Sequence, residues 1–92
     1  MFMSYFAYMQ YFVYILFSQR DQKRYIGLTS NLGQRMREHS QGSVKSTRNR
    51  RPLKLIYFEK FVTKSEALYR ENFFKSGRGR KFLKLIGLNK GE

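Results

Sequence analysis

The sequence predicts an α+β fold: a small three-stranded antiparallel sheet covered by helices, in the order ββαβαα. Three observations carry that prediction. Two β-branched and aromatic runs, residues 10–17 and 24–27, flank the polar stretch Ser18 to Lys23, as the strands of a hairpin flank its turn. Helix-starting residues recur at Thr29-Ser30-Asn31 and at Thr63-Lys64-Ser65-Glu66, each just before an apolar stripe. A third strand-like run, residues 53–61, stands between them.

Each element follows from local chemistry. In the hairpin, side chains alternate with period two, so an even-numbered loop brings Tyr14 and Tyr25 to the same face. The helix after Asn31 should run to about Ser40, with Gly42 just past its end. Leu32 and Met36 form its core stripe, while Arg35 and His39, also four apart, project from the rim toward a shared cleft. Residues 43–52 make a basic loop ending at Pro52, and the strand 53–61 follows. Thr63 to Glu66 fits a capping box opening a helix to roughly Lys75. Ser76-Gly77-Arg78-Gly79 breaks it, and Phe82, Leu83, Leu85 and Ile86 mark a short last helix packing on the core.

Ninety-two residues make one domain, and a chain of that size buries only about 60–65% of its unfolded surface. Without cysteine, neither a disulfide framework nor a thiolate zinc site holds the fold, and one histidine excludes a His-rich metal site. Nineteen Lys and Arg against six Asp and Glu give +13, the electrostatic footprint of a nucleic-acid binder. The basic residues cluster in two acid-free runs. Lys45, Arg48, Arg50 and Arg51 belong to one, Arg78 and Arg80 to the other, and these six are the candidate nucleic-acid-binding residues. A solvated basic face without a ligand is the bland alternative.

The first nineteen residues carry no charge. They lack the basic n-region of a signal peptide, and interruption by Ser4, Tyr5, Tyr8, Gln10 and Tyr11 argues against a spanning helix. The expected location is cytoplasmic. Met9 is a plausible start for the functional domain, so residues 1–9 read as an N-terminal extension of uncertain role, 10–86 as the domain and 87–92 as a tail.

Glu71 stands out among the few acids. It lies four after Ala67 and three before Phe74, on the apolar stripe of its helix, where a carboxylate needs compensation. A divalent metal is one compensator, and an ion pair with Arg70 or Lys75 is the other. Hydrolysis of a phosphodiester needs an activated water, a cation on the phosphate and help for the leaving oxygen. Glu71 suits a hard cation such as Mg²⁺, which keeps several waters. Arg35 suits bidentate capture of the phosphate. A tyrosine becomes a base only where nearby cations favour its phenolate.

At these residues the chain resembles the GIY-YIG nuclease family, whose hallmark is two short tyrosine-bearing strands, a helix arginine and a later helix glutamate. The first motif stands as Phe12-Val13-Tyr14, with its glycine replaced, and the second is intact as Tyr25-Ile26-Gly27. Arg35 falls at the family's helix arginine, His39 where members carry a histidine or tyrosine, and Glu71 at the metal-binding glutamate. The resemblance spans about residues 10–86 and is closest to small stand-alone proteins similar to the nuclease domain of the excinuclease C subunit. Lys45-Ser46-Thr47 and Arg50-Arg51-Pro52-Leu53 look like that subgroup.

The resemblance implies the GIY-YIG fold and a metal-dependent DNA endonuclease or nickase, active in DNA repair or processing. Its cofactor would be Mg²⁺ or Mn²⁺ on Glu71, with catalytic residues Tyr14, Tyr25, Arg35 and His39. The base is either tyrosine, and the expected partner is DNA, branched or single-stranded forms included. A nucleic-acid-binding module that keeps the fold without cutting is the alternative, and a basic protein docking on acidic partners is a third reading.

Overall fold

The structure, a computed structural model, describes residues 10–88; the expectations placed on residues 1–9 and 89–92 lie outside it. Strands β1 (Tyr11–Ser18) and β2 (Arg24–Thr29) form the hairpin, with Tyr14 opposite Gly27 and Leu16 opposite Tyr25. Tyr14 and Tyr25 therefore share a face as diagonal neighbours. Strand β3 (Leu53–Phe61) pairs with the other side of β1, giving the antiparallel order β2-β1-β3.

Because β1 is central, it is buried on both faces from Val13 to Ser18, which explains its nearly unbroken apolar run. Val13 and Ile15 point toward helices α2 (Lys64–Phe74) and α3 (Gly77–Leu85), where they join Ala67, Phe74 and Leu83 in the core. Tyr14 and Leu16 point the other way, toward helix α1 (Leu32–Gln41). The β1–β3 register steps from Ile15–Tyr57 to Leu16–Leu55, so Ile56 is the extra residue of a β-bulge. Ile56 and Tyr57 both pack on the core as a result.

The helix ends follow local rules. Among the three candidate caps of α1, Asn31 is the one used, its side chain accepting from the Gln34 N–H, and Gly42 closes the helix at φ 82°. Thr63 and Glu66 form the reciprocal capping box of α2. At α3 the sequence expectation needs correcting. The break after α2 spans only Lys75 and Ser76, because the Ser76 hydroxyl accepts from the Gly79 N–H and starts the helix at Gly77. Gly79 permits this start, since a Cβ there would collide with the Phe73 carbonyl and the Phe74 backbone. The earlier start fixes which face turns inward. Leu83 and Phe82 reach the core, but Leu85 is 84% exposed and Ile86 is exposed, and Leu88 packs in their place.

The basic loop is more ordered than its composition suggests. Val44 and Thr47 are buried within it, and a 3₁₀ turn spans Arg48–Arg50. Among the described residues no helix is long and apolar enough to cross a membrane.

Candidate active site

Tyr14 sits on the central strand, so its phenol must pass over β2 to reach solvent. Gly27 makes this passage, because a Cβ at that position would overlap the Tyr14 ring. The phenol, on a residue only 1% exposed, borders a cleft of about 780 Å³ along the β2 edge, lined by Tyr14, Tyr25, Arg35, Glu71 and the basic residues Lys75, Arg80 and Lys84. The two tyrosine rings stand 6.4 Å apart.

His39 lies behind the tyrosines rather than on the rim. It is only 2% exposed, and its ring meets those of Tyr14 and Tyr25 edge-on at 5.5 and 5.4 Å. Its Nε2 is 2.7 Å from the Tyr14 hydroxyl and its Nδ1 is 2.7 Å from the hydroxyl of fully buried Thr47. Burial, reinforced by the nearby Arg35 charge, holds the imidazole below its ordinary range and keeps it neutral at pH 7. Sequence reasoning does not reach Thr47. Its only signal is a small hydroxyl residue inside an otherwise basic run.

Arg35 projects into the cleft from α1, as its spacing predicts. Its Nη1 donates to the Glu38 carboxylate at 2.9 Å, but its Nε is buried without a hydrogen-bond partner. That atom is closed to solvent, so an anion in the cleft would meet the exposed part of the side chain, which is 36% accessible, and not Nε. Burial pushes the Tyr14 phenol above its ordinary range, and the Arg35 guanidinium pulls against that shift.

Glu71 faces the same cleft from α2. Of the two ion pairs weighed for it, the one with Lys75 forms, at 3.2 Å, while Arg70 binds Glu59 instead. The Glu71 side chain is 16% exposed and that of Lys75 53%, so the ammonium is the more solvated partner.

A family model described as the GIY-YIG catalytic domain matches residues 10–83. The chain belongs to the GIY-YIG family. It is similar to UPF0213 protein OB0043 of Oceanobacillus iheyensis, 42% identical over 84 residues that cover 90% of this chain and 96% of that one. It is also similar to UPF0213 protein CPE1444 of Clostridium perfringens, 43% identical over 82% of this chain and 81% of the relative. Among solved structures, the solution NMR structure of UPF0213 protein BH0048 from Bacillus halodurans is similar. It has a TM-score of 0.54 and 33% identity, and the match covers 86% of each chain.

GIY-YIG domains are a nuclease fold and generally use a divalent metal, and the donor set here fits such an ion. Among the described residues no group of three His, Asp or Glu forms a cage. One inward-leaning carboxylate at an open cleft suits a hard cation completing its shell with water and phosphate oxygens, and does not suit zinc. Glu71 is that carboxylate.

The basic residues divide by what they touch. Lys45 and Arg48 are exposed on the loop. Arg50 binds Asp21 at 2.6 Å and the carbonyls of Lys23 and Arg24, tying the loop to the hairpin turn. Arg51 donates to the carbonyls of Arg48 and Ser40. Arg80 lines the cleft, and Arg78 is exposed on the same helix. Lys75 and Lys84, members of the same acid-free run as Arg78 and Arg80, also line the cleft, and so does Lys23 from the hairpin turn.

Proposed function

We propose that this GIY-YIG protein is a metal-dependent endonuclease or nickase that hydrolyses phosphodiester bonds in DNA, in cytoplasmic DNA repair or processing. The observation that carries the reading is one cleft lined by Tyr14, Tyr25, Arg35 and Glu71. In this reading Glu71 holds one Mg²⁺ or Mn²⁺. When bound, such an ion supplies charge stabilisation on a phosphoryl oxygen and acidifies water. Arg35 takes the scissile phosphate with the exposed part of its guanidinium. Tyr14 or Tyr25 activates water, and neutral His39, hydrogen-bonded to Tyr14, assists the movement of the proton. Lys23, Arg80 and Lys84 steer the strand along the cleft. Lys45, Arg48 and Arg78 extend the basic surface beyond it, with Arg50 and Arg51 anchoring the loop at its border.

A second reading, a nucleic-acid-binding module without cleavage, is favoured by the Lys75 ammonium at Glu71. The two readings part on metal dependence. Purified protein is incubated with labelled duplex, branched and single-stranded DNA, with and without Mg²⁺ or Mn²⁺, beside a Glu71→Gln control. Cleavage that requires both the metal and Glu71 is expected. Binding that falls with salt, ignores Glu71→Gln and never leads to cutting would replace the nuclease with the binding module.

A further inference from the structure

Both ring nitrogens of His39 are engaged, and a neutral imidazole carries only one proton to share between them. The distances alone do not say which nitrogen holds it, because Tyr14 and Thr47 both present hydroxyls that can donate or accept. The environment of Thr47 decides. Its side chain is fully buried, and the only partner of its hydroxyl among the described residues is His39 Nδ1.

We infer that Thr47 is a positioning residue whose hydroxyl donates to His39 Nδ1, which holds the imidazole as the Nε2–H tautomer aimed at the Tyr14 oxygen. The opposite assignment puts the proton on Nδ1 and leaves the Thr47 hydrogen buried with no acceptor. In the Nε2–H arrangement Thr47 O–H has Nδ1 and Nε2–H has Tyr14 Oη, and the hydrogen left over is that of Tyr14, which is 1% exposed but lines the cleft, whereas Thr47 is fully buried. The Tyr14 hydrogen is then free to point into the cleft that this residue lines. Buried donors are satisfied in folded proteins, so the arrangement whose remaining hydrogen is at the cleft is the stable one.

A consequence for proton flow follows, and it rests on the nuclease reading. An Nε2–H already donating to the Tyr14 oxygen cannot take the phenolic proton. It stabilises negative charge on that oxygen instead, together with the Arg35 guanidinium on the other side. The part of His39 in proton movement thus narrows to tuning the Tyr14 oxygen, and it does not act as the base of Tyr14. Thr47, two turns of chain away in the basic loop, sets that role through the imidazole.

The chain has a single histidine, so its imidazole nitrogens are read without ambiguity in a ¹⁵N long-range correlation spectrum of the full protein. At mildly alkaline pH the wild type should show Nε2 as the protonated, pyrrole-like nitrogen and Nδ1 as the bare, pyridine-like one. Thr47→Val, with its fold checked by the amide spectrum, should lose that pattern toward a tautomer mixture, and Thr47→Ser should restore it. A wild-type Nδ1–H signal would overturn the inference, as would a folded Thr47→Val protein with an unchanged Nε2–H pattern. The wild-type spectrum decides even if Thr47→Val fails to fold. Because the readout needs no substrate, an Nε2–H pattern in a protein that cuts no DNA would sink the nuclease reading and leave the tautomer standing. Where cutting is found, Thr47→Val should slow it and displace its pH profile, and Thr47→Ser should reverse both.

Discussion

Arg70 and Arg35 project from the helices on either side of the sheet, and they are treated in opposite ways. Arg70 binds both carboxylate oxygens of Glu59, at 2.8 and 3.1 Å, and lies 4.7 to 4.9 Å from the ring centres of Phe73, Phe74 and Phe82. Tyr57 donates to the same carboxylate at 2.6 Å. Burial pushes Glu59 up, but Arg70 and Tyr57 outweigh it and keep the carboxyl below its ordinary range. Arg35 has one carboxylate partner among the described residues, Glu38, leaves 36% of its side chain exposed and borders the cleft. A guanidinium held by both oxygens of a carboxylate and stacked on rings serves the fold, whereas one that borders a cleft with a single carboxylate bond is placed to meet a ligand.

The largest expected effects test that contrast directly. Arg35→Ala should lower the cleavage rate about 10²–10³-fold, the usual cost of losing an electrostatic clamp. Its effect on stability should stay within about 1 kcal/mol, because the Glu38 pair is over one-third exposed. Arg70→Ala should do the reverse. Removing one partner of a fully buried pair costs about 3–5 kcal/mol, and the partial exposure here brings the expectation to about 2–3 kcal/mol. Urea unfolding and single-turnover cleavage of both variants check the pair. Equal loss of rate in folded Arg70→Ala would erase the distinction.

Two glycines sharpen the same comparison. Gly79→Ala drives a methyl into the α2 backbone and should cost about 1–3 kcal/mol, as overpacking does. Gly27→Ala drives a methyl into the Tyr14 phenol, so its main effect should be on cleavage, with the loss matching that of Tyr14→Phe. A Gly27→Ala protein that cuts normally would remove Tyr14 from the chemistry. Crystal structures of both variants would show which neighbour yields.

What the sequence reveals and what it hides separate along the same lines. The hairpin parity, the Asn31 cap and the Thr63–Glu66 box are legible because each depends on residues within a few positions of one another. Tyr14, Tyr25, Arg35 and Glu71 are legible because strand and helix periodicity bring them to one cleft. The start of α3 is not, since Gly77 and Gly79 read locally as a break, and only the close approach of α2 explains a glycine inside a helix. Leu85 and Ile86, expected on the core, are exposed instead. Thr47 stays hidden for a similar reason. Its burial depends on the loop folding back over His39, a contact that no local pattern encodes.

His39 gives a smaller, pH-dependent effect. Its imidazole titrates below the ordinary value of about 6.5 in the folded protein, so the unfolded chain binds the proton more readily. Stability is then full above about pH 6.5 and falls as pH drops below it, levelling once the folded imidazole also protonates. Urea midpoints measured across this window should show the decline in wild type and lack it in His39→Gln. A flat wild-type curve would mean that the imidazole is not held neutral by burial.

The smallest effect concerns Arg50, whose partner Asp21 is on the exposed hairpin turn. The Arg50 hydrogen bond holds the Asp21 carboxyl at about 2, below its reference value of 3.8. The sign follows from the depressed value: the contribution is present above about pH 3.8 and is lost as pH falls toward about 2. Asp21→Asn should therefore match wild type in strong acid and fall slightly below it at neutral pH, by an amount that shrinks with added salt. The outcome bears on the basic loop as well. If Asp21→Asn changes nothing at any pH, Arg50 is not committed to the turn and joins Lys45 and Arg48 as a cation available to a phosphate backbone. If the difference appears as expected, the loop's cations divide like Arg35 and Arg70, one kept for the fold and its neighbours left for the ligand.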